Sequence, residues 1–179
     1  MHDIEIIRSK RKTIGLQVRP DSRVILRVPR QMKKREIEQF IDEYREWIDH
    51  KLSLMEERNA RSVSTGAPAR EKISAKEWQQ IRNTFIARVQ YFCSRMQVKV
   101  GRVTIRNQKT RWGSCSAKGN VNFNYQLYYM PRELMDYVII HELAHRQHMD
   151  HSAAFWQEVE QYCPDYKECR QRLKKYTVE

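Results

Sequence analysis

The chain has 179 residues, 40% hydrophobic and 31% charged, with a formal net charge of +12. That length and balance suit a globular protein burying roughly 70% of the surface its unfolded chain exposes, and exclude a disordered one. The opening MHDIEIIRSKRK lacks a signal peptide's apolar segment and nowhere do eighteen apolar residues run together, so a cytoplasmic protein with no membrane partner is expected.

Thr13 to Arg19 alternates apolar with other residues, Pro20-Asp21-Ser22 supplies turn chemistry, and Val24, Leu26 and Val28 alternate again, which predicts a β-hairpin. After Pro29, apolar residues at Ile37, Phe40, Ile41, Tyr44, Trp47, Ile48 and Leu52 lay one stripe along a helix. Its Lys33-Lys34-Arg35 start opposes the helix dipole. Residues 59–73 have few large apolar side chains and read as a connector between an N-terminal region, 1–58, and a main domain, 74–179.

Ser74-Ala75-Lys76-Glu77 is a capping box, and Trp78, Ile81, Phe85, Val89, Phe92 and Met96 then follow at helical spacing. Short strands are expected at 98–106, 110–115 and 121–127, with Ala117-Lys118-Gly119-Asn120 turning between the last two, as a small antiparallel sheet. Pro131 opens a helix running through Leu134, Tyr137, Val138, His141 and His145. Phe155, Trp156, Val159 and Tyr162 mark another, and Asp165 with Glu168 resembles a capping pair for a last one. The fold class is α+β, with the sheet packed on the helix of His141.

The four cysteines, Cys93, Cys115, Cys163 and Cys169, form no CxxC pair and read as reduced packing thiols. The charge is uneven: residues 61–130 hold 13 Lys and Arg against 2 Asp and Glu, a net +11. Such an excess points toward a polyanionic partner, nucleic acid first, with Arg61, Arg70, Lys72, Lys76, Arg82, Arg88 and Arg95 as contacts and Trp78 and Tyr91 as stacking surfaces. The competing reading is a solvated face with Trp78 in the core stripe.

His141-Glu142-Leu143-Ala144-His145 is an HExxH motif, with two imidazoles one helical turn apart on one face, able to reach one ion. Neutral imidazoles suit zinc, and a catalytic zinc keeps three protein ligands so that water can take the fourth position. Two histidines compete for third place. His148 lies about 10 Å farther along a straight helix than His141, too far to share a tetrahedral ion. His151 is favoured; it needs the chain to turn back, with Asp150, tolerant of left-handed backbone, offering the turn. One zinc per chain is expected, with Glu142 as general base.

The sequence closely resembles the YgjP-like metallopeptidases, zincin-fold proteins related to the SprT and WLM peptidases. The matching segments are Arg111-Trp112-Gly113-Ser114-Cys115-Ser116, Asp136 to His145, His151-Ser152 with Phe155-Trp156, and Pro164-Asp165-Tyr166-Lys167. The likeness extends to the N-terminal hairpin and Trp47. It implies a zincin-like domain in which His141, His145 and His151 hold zinc and Glu142 is catalytic on a peptide or protein substrate. Relatives often carry Asn where Asp150 stands, which offers a carboxylate as partner to an imidazole N–H. Residues 111–115 are the candidate edge strand for pairing with extended substrate, against a core Trp112 and a bulge at Gly113. Tyr128, Tyr129, Arg146 and His148 are open candidates for the oxyanion donor. Two rival readings are a nucleic-acid-associated protein, either a binding module or a protease of DNA-bound proteins, and an inactive zincin scaffold acting in protein interaction.

Overall fold

The computed structural model describes residues 3–19 and 21–178. Pro20 of the expected turn lies outside them. The chain divides into two compact units, Met1–Ser62 and Val63–Glu179.

In the first unit the expected hairpin forms from β2 (Gly15–Val18) and β3 (Val24–Pro29), paired antiparallel with Val18 opposite Val24. A strand the sequence reading did not foresee, β1 (Ile4–Ser9), lies parallel to β3 on its other side. β3 is therefore central, and Val24, Ile25, Leu26 and Val28 are all essentially buried. This burial on both faces explains why the strand is nearly continuous in apolar residues.

The helical stripe splits in two, α1 (Lys34–Glu43) and α2 (Arg45–Ala60), because Tyr44 between them leaves helical geometry at φ −98° and ψ 12°. The change in direction buries Ile37, Ile48 and Leu52 but leaves Trp47 40% exposed, so that ring does not join the core stripe. At the start of α1 the Lys33 amide donates to the Glu36 carboxylate at 2.6 Å, a negative group that offsets the three cations opposing the dipole.

In the second unit Val63 bridges to Tyr176, a short 3₁₀ turn occupies Arg70–Lys72, and α3 (Ala75–Met96) begins where the Ser74 hydroxyl accepts the Glu77 amide. The sheet is β4 (Val103–Arg106), β5 (Gly113–Cys115) and β6 (Val121–Asn124), in the order β4-β6-β5. It is mixed rather than wholly antiparallel: β5 runs against β6, but β4 runs parallel to it. Gly119, at φ +78°, makes the tight turn into β6 that only a residue without Cβ takes readily.

α4 (Arg132–Ala144) is the centre of this unit, with α3, α5 (Ala153–Tyr162), α6 (Tyr166–Leu173), β5 and β6 packed around it. Being enclosed, it is apolar on most sides: Leu134, Tyr137, Val138, Ile139, Ile140, Leu143 and Ala144 are all buried. Arg88 of α3 grips Asp136 of α4 through two hydrogen bonds of 2.8 and 2.7 Å.

Several residues expected to face a polyanion are engaged within the unit. Arg70 covers one face of Trp78 at 3.8 Å, Tyr125 stands beside the same indole, and Arg95 donates to the Tyr91 hydroxyl. Among the described residues, no helix is long and apolar enough to cross a membrane.

Candidate metal centre

α4 ends at Ala144, so His141 and Glu142 stand on its last turn and His145 is its capping residue. Helical spacing brings the two imidazoles to one side, with ring centres 5.1 Å apart. The chain then makes hydrogen-bonded turns, with the amides of Arg146 on Leu143 and of Gln147 and His148 on Ala144, and returns without any left-handed residue at Asp150. Ser152 caps α5 by accepting the Phe155 amide. This reversal presents His151 to the other two: Nε2 of His151 is 3.2 Å from Nε2 of His141, and one ligand atom from each of the three imidazoles lies within 4.8 Å of the others.

His148 contributes backbone and not its ring: its carbonyl lies 3.0 Å from Nδ1 of His145. An N–H donated there leaves Nε2 of His145 as the lone-pair nitrogen facing the cluster. Asp150 does not accept from an imidazole; its carboxylate takes the Ser152 amide at 3.2 Å and so fixes the reversal instead.

Beneath the three rings lies a fully buried phenyl. Phe155 is 4.9, 4.6 and 4.8 Å from His141, His145 and His151, and Trp156 stacks on His151 at 5.9 Å. The sequence offered Phe155 as part of a helical stripe and of a family-matching segment; its place four residues beyond His151 was the one signal of this role. Burial, then the neighbouring imidazoles, hold His141 down to about 3, so it is a neutral donor at ordinary pH. Its Nδ1 is buried with no hydrogen-bond partner among the described residues. Three converging imidazoles on an apolar floor fit a cation, which converts facing lone pairs into ligands.

Glu142 is 7% exposed, and desolvation pushes its carboxyl up to about 7 while Arg111 opposes the rise. Gly113 of β5 lies against it: a Cβ built there would stand 2.7 Å from both Cγ and Oε1 of Glu142. The glycine is required by close approach and not by a bulge, and it seats the edge strand directly beside the carboxylate. Trp112 packs on the hydrophobic core, as the plainer reading of that residue had it.

The cleft over this group is lined by Arg111, Gly113, Ser114, Cys115 and Met149 together with Glu142 and the three histidines. None of Tyr128, Tyr129, Arg146 and the His148 ring lines it. Tyr129 donates to Glu77 at 2.7 Å, and Arg146 is spent on the carbonyls of Lys99 and Ala117. The cysteine thiols are all free, and burial raises all four pKa values, that of Cys163 to about 12.

No curated protein matches the chain. Among solved structures it is similar to the metallopeptidase zymogen of Pyrococcus abyssi abylysin, with 26% identity and a TM-score of 0.48 over 53% of this chain and 99% of that one. The YgjP-like, metallopeptidase domain profile matches residues 12–76 and 61–176. With nearly its whole length so matched, the chain belongs to the YgjP-like metallopeptidase family.

Proposed function

We propose that the protein is a zinc peptidase in which His141, His145 and His151 hold one zinc ion per chain and Glu142 is the general base. The observation that carries the reading is the convergence of three imidazole nitrogens beside a buried carboxyl whose pKa is pushed up to about 7. Three nitrogen ligands suit zinc and leave a position open. When bound, such an ion supplies Lewis-acid activation of water and of the scissile carbonyl.

This chain's own residues do the rest. Desolvation raises the pKa of the Glu142 carboxyl, in the direction that suits a group giving back the proton it accepts. Glu142 accepts the proton of the attacking water on a carboxylate oxygen and returns it to the leaving amine. The amides and carbonyls of β5, an edge strand, are placed to align an extended peptide across the cleft. Phe155 and the Asp150–Ser152 turn hold the imidazoles in register. A peptide or protein is the substrate class. Nucleic acid has no part in this reading; of the contacts expected for it, Trp78 and Arg88 are engaged inside the unit.

The test is Glu142→Gln, nearly isosteric but unable to accept the proton. It is expected to keep zinc content and melting temperature while losing at least about 10²-fold of hydrolysis on a peptide library. A variant as active as the parent would remove Glu142 from the base role.

A further inference from the structure

Among the described residues, Arg111 differs from Arg146 and Arg88 in having no bonded partner inside the protein. Arg146 is bound to two carbonyls and Arg88 to Asp136. Arg111 makes no hydrogen bond or ion pair with another described residue, yet it lines the cleft together with Glu142 and the three histidines. It stands two residues before Gly113, the position that touches Glu142. Among the lining residues its side chain is the only Lys or Arg.

A solvated guanidinium at the entry of an edge strand presents a planar fork of donors, the geometry that matches a carboxylate two bonds at a time. We propose that Arg111 is a specificity-determining residue that receives a carboxylate of the substrate, either an Asp or Glu side chain beside the scissile bond or the free C-terminus. This rests on the peptidase reading and adds its substrate class: acidic peptides, or peptides cut near their C-terminal end. Arg111 touches the substrate away from the reacting atoms, so its effect belongs in binding.

The experiment measures binding, by fluorescence anisotropy, in the Glu142→Gln background so that no peptide is consumed. The probes are labelled octapeptides differing at one central residue, Glu, Gln or Lys, with amidated C-termini, and the Gln peptide with a free C-terminus. Salt is kept at about 50 mM, where screening is weak. The Glu peptide, the free-carboxylate peptide or both should bind about fivefold tighter than the amidated Gln peptide, as an exposed charge-assisted pair allows. Arg111→Gln should bring these affinities within about twofold, and Arg111→Glu should favour the Lys peptide. Lys76→Gln, which removes one exposed charge from the start of α3, should leave the ratios unchanged and so separate contact from overall field. If Arg111→Gln loses zinc or melts early, Arg111→Lys takes its place, keeping the charge but losing the fork and part of the preference.

Equal binding of charged and neutral peptides overturns the proposal. So does a preference that survives Arg111→Gln, or one that Lys76→Gln abolishes equally. Failure of the peptidase reading is distinguishable: Arg111-dependent binding without hydrolysis by the parent would leave this site standing and remove the activity.

Discussion

Gly113 shows how a single hydrogen in place of a methyl group bears on chemistry. Its Cα faces the Glu142 side chain, and an added Cβ at 2.7 Å from Cγ and Oε1 forces the carboxylate away. On the proposed base role of Glu142, Gly113→Ala should therefore retain zinc but lose about 10²-fold of hydrolysis, the loss that a misplacement of about 1 Å can bring. Full activity in that variant would mean that the carboxyl has room to move. The histidines separate in the same way. His151→Ala is expected to lose most of its bound zinc on dialysis, whereas His148→Ala, which keeps the carbonyl facing His145, should retain it. Equal metal retention in the two would discard His151 as a ligand.

Between helices, the bidentate Arg88–Asp136 pair ties α3 to the helix of the candidate metal centre with its side chains only 17% and 19% exposed. Arg88 also lies over the rings of Tyr91 and Phe92. Removing it leaves a carboxylate with little water and only Arg132, at 4.0 Å, to balance it. Arg88→Ala should cost about 2 kcal/mol in urea denaturation, below the roughly 3–5 kcal/mol of a fully buried pair. The double variant with Asp136→Leu should cost less than the two singles together. Strict additivity would show that the pair does not couple. Elements with strong local signals were legible: α3 from its Ser74 cap and apolar spacing, and the β2–β3 hairpin from its alternation. β1 was not, because Ile4–Ser9 becomes a strand only by pairing parallel with β3, each residue with a partner 20 positions on, as Ile4 with Val24. The Tyr44 break was hidden for a related reason: an unbroken apolar period shows which residues favour burial, not where the helix must turn.

For the molecule as a whole, the described residues of the candidate centre all belong to Val63–Glu179, and so does the large apolar core from Ile73 to Cys169. We propose that 63–179 is an autonomous unit. Expressed alone it should fold cooperatively, bind about one zinc per chain and keep a melting temperature close to that of the parent's later transition. A fragment that is unfolded by circular dichroism would show that residues 1–62 are needed for the core. The sequence by itself determined what is local: a helix placing His141 and His145 one turn apart, since 3.6-residue periodicity fixes their common face, with Glu142 next to His141 in the chain. It also carried the family likeness that the profile match bears out. Only the tertiary structure decided that His151 returns to the cluster while His148 offers its carbonyl, that Phe155 floors the three rings, and that Gly113 lies against Glu142. These depend on where separate elements come to rest, which is set by the packing of α5 and β5 on α4 and has no period in the chain.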